Sequence, residues 1–374
     1  MQNMLAGIAD TQGIDDLIKL LLGEGYVVMG PGVERNVIQK KEITSVGDLP
    51  KGYTDTQTPG SYRLERDLSS PELFSWAVGP ASFKNSLFPA KQTLFEGKIS
   101  KGKASITQKE VPSHKTCFFG IRPCEVAGMA VLAKVMTDGA YPDPQAVSVR
   151  KNSLVVAVEC GRPAENCFCT SFNTGPMADD GCDIIITEIT EGNHRFLIRS
   201  GSDAGYAILS RLAYKPALPE DVSARDKVIA KSISAISKSI DQENTPALLA
   251  RNIGSTIWAN IANRCLSCGN CTMVCPTCFC ASFEHSNGLE EDFSAVRRWD
   301  SCFDSAHSYI HGGSVRTSVA SKYRQWMTHK LSTWVDQFGE IGCVGCGRCI
   351  TWCPVGIDIT EETAKIAEGE SLHK

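Results

Sequence analysis

The sequence predicts an α+β chain, with an N-terminal α/β domain that carries a group of cysteines and a helical, cysteine-rich domain after it. Three observations carry that expectation. Short β-branched runs (TCFFGI, SLVVAVE, CDIIITEI and FLIRS) fall between about 111 and 215, bounded by Gly, Pro and Asp as strands are. From about 246 to 360 apolar residues recur at helical spacing. The run C-x2-C-x2-C-x3-C-P occurs at 265–276 and again at 343–354.

Each stretch has its own justification. Residues 1 to about 110 are mixed, with turn-rich polar segments such as GDLPKGYTDTQTPGSYR. The strand-like runs follow, and residues 1–220 are read together as the α/β domain. Residues 221–245, with Val228, Ile229, Ile233, Ile236 and Ile240 on one face, are read as a connecting helix. In the last domain, 246–374, Leu249, Ile253, Ile257 and Ile261 lead into Cys265. Val319, Tyr323, Trp326, Met327, Leu331, Trp334 and Val335 lead into the second cysteine run, and both stripes are read as core packing. Residues 201–205, in RSGSDAGYAIL, are read as a helix start.

Composition narrows the function. The 374 residues carry a formal charge of −4, with Lys and Arg spread evenly, which gives no attraction to nucleic acid or an anionic membrane. The start, MQNMLAGIAD, has no cationic region, and LIKLLLGEGYVVMG is broken by Lys19, Glu24 and glycines. No secretory signal or span of about 20 apolar residues is expected, and a cytoplasmic location is. In a reducing compartment 17 cysteines point to metal rather than disulfides. Cys117 and Cys182, in strand-like segments, are read as core residues. No GxGxxG after a strand and no GxxxxGK[ST] occurs, so neither a nucleotide fingerprint nor a catalytic residue is assigned.

The repeated run has the spacing of bacterial ferredoxins, in which the fourth cysteine of each run ligates the other cluster. Cys265, Cys268, Cys271 and Cys353 are therefore assigned to one [4Fe-4S] cluster, and Cys343, Cys346, Cys349 and Cys275 to a second. Paired C-x2-C knuckles also hold structural zinc. Two copies of a four-cysteine run, each closed by Pro, are the more specific signature. The long segment between the runs points to an α-helical ferredoxin. Cys124 follows one strand and Cys160 another; with Cys167 and Cys169 they make a third set of four thiols at one sheet edge, where α/β proteins build sites. A third cluster is expected there. Cys278, Cys280 and Cys302 are read as buried bystanders.

The segments FFGIRPCE, VECGRPAENCFCTSF, CLSCGNCTMVCPTCFC, RRWDSCFD and GCVGCGRCITWCPVGIDI together resemble the iron–sulfur β subunit of cytosolic sulfhydrogenase-type [NiFe] hydrogenases, and equally the iron–sulfur subunit of anaerobic sulfite reductase. The similarity spans roughly residues 75–370, and FKNSLFPAKQTLF fits it. Glu125 stands where many relatives have Asp, and Cys278, Cys280 and Cys302 match family cysteines. The resemblance implies an electron-transfer subunit working between a flavin-containing, NAD(P)H-linked subunit and a catalytic subunit of hydrogenase or sulfite reductase type. A dehydrogenase or heterodisulfide-reductase-like iron–sulfur subunit is the alternative within the same class, and it would lack RPCE and CGRPAENCFC. A metal-stabilised scaffold is the alternative of another class, and it would be redox-silent.

Overall fold

The computed structural model describes residues 5–371 apart from 102, 109, 112 and 288–291. The strands of its three larger sheets are β1 (Ala6–Ala9), β2 (Val27–Glu34), β3 (Val37–Glu42), β4 (Tyr53–Thr58), β5 (Ser61–Arg66), β6 (Lys91–Ser100), β7 (Lys103–Gln108), β8 (Thr116–Ile121), β9 (Ser153–Val158), β10 (Ile184–Ile189), β11 (Arg195–Ser200), β12 (Lys215–Pro216), β13 (Ala281–Asn287) and β14 (Asp292–Trp299).

The four β-branched runs of the sequence are β8, β9, β10 and β11, and they form the centre of an eight-stranded sheet ordered β12-β1-β11-β10-β9-β8-β2-β3. Strands β2, β8, β9 and β10 run parallel. All six residues of β8 and of β10 are buried, as in a sheet covered on both faces, although β10 buries Thr187 and Glu188 among its isoleucines. Helix Thr11–Gly23 covers the sheet with Ile14, Leu17, Ile18 and Leu21 fully buried, and Asp10 caps it by accepting from the Gly13 N–H. The helix read at residues 201–205 begins at Asp203, capped by Ser202. Cys117 is buried in β8, whereas Cys182 lies in the turn two residues before β10.

Four expectations need correction. The polar stretch 47–63 holds most of the β4–β5 hairpin, whose alternating burial a turn-rich composition hides. The connecting helix spans Pro219–Ala235 and buries only Ile229 of the five residues named; Ile233 is exposed, and Ile236 and Ile240 lie beyond its end. The stripe before Cys265 is two short helices, Thr245–Arg251 and Ile257–Ala262, with Ile253 exposed between them because Asn252 to Ser255 form turns. Finally, the segment between the cysteine runs is not wholly helical. Strands β13 and β14 pair with each other, and β14 pairs with β6 of the N-terminal half, in a sheet ordered β13-β14-β6-β7.

The second stripe does pack as expected. Tyr323, Trp326, Met327, Leu331 and Trp334 are buried. They lie on helix Val319–Thr328, a π-helical turn His329–Thr333, and helix Trp334–Phe338.

Candidate metal centres

The two cysteine runs fold alike. In each, the residue just before the second cysteine is left-handed (Ser267, φ 53°; Gly345, φ 61°), and so is the glycine after it (Gly269, φ 74°; Gly347, φ 73°). These turns wind the chain back on itself before a short helix, Asn270–Met273 or Arg348–Thr351, that carries the third cysteine. Glycine is required at Gly345 and Gly347 for a second reason. A Cβ there would stand 2.5 Å from the Phe168 carbonyl and 2.4 Å from the Asn166 carbonyl oxygen. The second run is thereby pressed onto the loop that carries Cys167 and Cys169, and Phe168 N–H donates to Gly345 O at 2.8 Å.

Cys265, Cys268, Cys271 and Cys353 line one cavity, so the fourth cysteine of the second run stands with the first three of the first. Backbone N–H groups of Ser267 and Ile357 donate to the sulfurs of Cys265 (3.4 Å) and Cys353 (3.3 Å). The indole N–H of Trp326, on the same cavity wall, is buried and has no partner among the described residues. A donor left so would suit an electron-rich sulfur placed in the cavity.

The reciprocal set gathers around Cys343. Burial pushes its thiol up to about 12, and Cys275 and Cys346 add to that. Cys349 is raised by burial and then by Cys343, Cys346 and Cys275. Cys275 accepts from the buried Lys330 ammonium at 3.2 Å, and Lys330 also donates to Thr277 Oγ1 and Gly342 O, each at 3.1 Å.

The N-terminal set is assembled by strand adjacency. Strands β8 and β9 are parallel neighbours, Cys124 opens helix Pro123–Met136 just after β8, and Cys160 follows β9. Cys124, Cys160, Cys167 and Cys169 line one cavity, and Cys346 of the second run forms part of its wall. Cys349 likewise forms part of the wall of the Cys265 cavity. The middle set thus touches both of its neighbours.

These thiols suit a cationic cofactor. Burial raises Cys124, Cys167, Cys169, Cys271, Cys343 and Cys349. Packed so deeply in apolar surroundings they would stay neutral unless a positive iron–sulfur core offset their charge. Cys278, Cys280 and Cys302 line a separate cavity of about 330 Å³, where Cys278 stands against Cys275 of the middle set.

Several residues of the site escaped the sequence reading. Lys330 sits in the π turn, and a lysine interrupting an otherwise apolar stripe was its one visible signal. Lys84, from FKNSLFPAKQTLF, is buried and donates to the carbonyls of Thr272, Met273 and Cys278. Arg348 and Glu125 form a buried ion pair at 2.8 Å across the two halves, and Lys40 joins Glu125 at 3.2 Å. Nothing local in the sequence pairs these three.

Comparison with known proteins points to the same class of cofactor. The family model described as a 4Fe-4S dicluster domain matches residues 264–357. The sulfhydrogenase 2 subunit beta of Pyrococcus furiosus is 29% identical over 347 residues, covering 91% of this chain and 92% of that protein. No solved structure matches significantly. Among the described residues no helix is long and apolar enough to cross a membrane. A 4Fe-4S dicluster domain thus lies behind an α/β half, and a hydrogenase β subunit is similar to the chain along nearly all its length.

Proposed function

We propose that this chain relays electrons between a flavin-containing, NAD(P)H-linked subunit and a catalytic subunit of hydrogenase or sulfite reductase type. Three [4Fe-4S] clusters would serve the relay. Cys265, Cys268, Cys271 and Cys353 would hold one, Cys275, Cys343, Cys346 and Cys349 the middle one, and Cys124, Cys160, Cys167 and Cys169 the third. The observation that carries this reading is the placement of Cys346 and Cys349 in the walls of the two outer cavities, which sets the three thiol groups in a continuous row. Bound there, such clusters supply one-electron exchange without proton chemistry.

The protein's part is to hold, shield and tune. Phe303, Tyr323 and Trp326 wall the first cavity against water. Cys268 is exposed beside the exposed Leu266 and Val355, so this end of the row reaches the surface and suits a docked redox partner. In the middle, burial opposes the charge of Lys330, but Cys275, Cys278 and Cys343 outweigh it and keep the ammonium protonated. A cation at a sulfur ligand favours the reduced state. Losing such a charged hydrogen bond, worth about 1.5–3 kcal/mol, should lower the middle potential by roughly 60–130 mV in Lys330→Gln. A redox titration followed by EPR reads this directly, and an unchanged potential removes Lys330 from that role.

Iron and acid-labile sulfide on anaerobically purified protein should each approach about twelve per chain, four per cubane. A value near eight sinks the N-terminal cluster. Cys124→Ala and Cys160→Ala should each lose about four irons, the content of one cubane. The chain alone should accept electrons from a low-potential donor and show no NAD(P)H oxidation; robust NAD(P)H turnover by the isolated chain overturns the division of labour.

A further inference from the structure

We propose that Cys280 and Cys302 form a dithiol–disulfide couple, a two-electron centre beside the one-electron relay. They lie at the base of the β13–β14 hairpin, Cys280 just before its first strand and Cys302 three residues after its second. Ala281 pairs with Trp299 in the ladder, and the Asp300 N–H donates to the Cys280 carbonyl at 2.9 Å just beyond it. Their side chains interact across the cavity that they share. Two thiols sharing one cavity are placed to form an S–S bond. Both line the 330 Å³ cavity, together with His307, His329 and Arg316.

The chemistry of the surroundings suits exchange. His307 bonds to Cys280, and its Nδ1 lies 2.7 Å from the Asp300 carboxylate, giving a thiol–imidazole–carboxylate row. The hydrogen bond from Cys302, with that of His307 behind it, holds Cys280 at about 4 against the opposing effect of burial, while His307 is lifted to about 9 by its bonds to Cys280 and Asp300. Cys280 is therefore the thiolate of the pair and Cys302 the thiol, an arrangement that favours thiol–disulfide chemistry.

On oxidation the Cys280–Cys302 S–S bond forms, the Cys302 S–H bond breaks, and two electrons leave with the proton of Cys302 and the one shared between Cys280 and His307. Reduction returns two electrons and two protons and restores both sulfurs. Cys278 bridges the couple to the relay: it lines the same cavity and hydrogen-bonds to Cys275 of the middle set. The electron supply rests on the relay proposed above; the S–S bond does not.

The test uses the full chain with its iron. It is equilibrated anaerobically across dithiothreitol ratios, quenched by alkylation, digested and weighed. The expected result is a peptide pair joined through Cys280 and Cys302, lighter by two hydrogens than the two thiols, that forms and reverses with the ratio. Cys302→Ser should abolish it while the iron content stays at the parent value. Failure of the bond to form at any ratio overturns the proposal, as does a link that joins Cys278 instead. Loss of one cubane's worth of iron in Cys280→Ser or Cys302→Ser also overturns it, because the two would then be cluster ligands. A parent with little iron and an intact Cys280–Cys302 link would sink the relay and leave the couple standing.

Discussion

Cys275→Ala should strip the centre built on Cys343, Cys346 and Cys349, and leave the one on Cys265, Cys268 and Cys271 in place. If each run served its own cluster the damage would fall the other way. The grouping of side chains favours the exchange. Cys275 lies against Lys330, Thr277 and the Cys343–Cys349 thiols, and Cys353 lines the cavity of the first run. Pro276 follows Cys275 directly and turns the chain away from its own loop. The expected loss is about four irons, one cubane's worth, with the EPR signal of the remaining C-terminal centre retained. Cys353→Ala should give the reciprocal pattern. A structure of the iron-loaded protein decides the matter in one measurement: Cys275 and Cys268 on one cubane would refute the crossing. The crossing also has a structural consequence. Each run contributes to both centres, so emptying either should loosen the other, because metal binding is part of folding in such domains.

How much of this was legible in the sequence follows from the range of the forces involved. The cysteine runs, the left-handed glycines that close their loops and the apolar strands are local features, and local features leave a pattern. Cys124 and Cys160 could be brought together because each follows a strand and parallel neighbours end at one edge. The hairpin β13–β14 was not legible as part of the N-terminal half's second sheet, since its partner β6 lies almost 200 residues away and pairing registers leave no mark on either strand alone. Residues 1–70 carried no recognisable motif, yet Gly60 N–H donates to Ile350 O and Gln57 Oε1 accepts from Thr351, so the β4–β5 hairpin braces the second run. The buried charges were hidden for the same reason: an ion pair between residues 223 positions apart is a property of the fold.

Glu125→Ala should destabilise the protein by about 3–5 kcal/mol, the cost of stranding buried charge. Its carboxylate is almost fully buried, accepts from Arg348 at 2.8 Å, Lys40 at 3.2 Å and the Arg122 N–H at 3.2 Å, and so ties three separate segments together. Burial alone would raise that carboxyl, but Lys40 and Arg348 outweigh it and hold it below its ordinary range. Arg348, fully buried, also donates to Gly79 O at 2.7 Å and stands against the Cys346 thiol. Removing the carboxylate leaves two cations without their counterion, between the Cys124 set and the middle set. A loss of this size is a large fraction of the roughly 5–15 kcal/mol that keeps a domain folded. The variant should therefore unfold at a markedly lower denaturant concentration and lose iron first from the two centres that flank the bridge. Because outright failure to fold would hide the cause, Glu125→Gln combined with Lys40→Met provides the control. Replacing the second cation by an apolar chain of similar length removes one stranded charge, so the double variant should recover part of the loss seen in Glu125→Gln alone. If Glu125→Gln costs less than about 1 kcal/mol, in the range of an exposed ion pair, the bridge does not hold the two halves together.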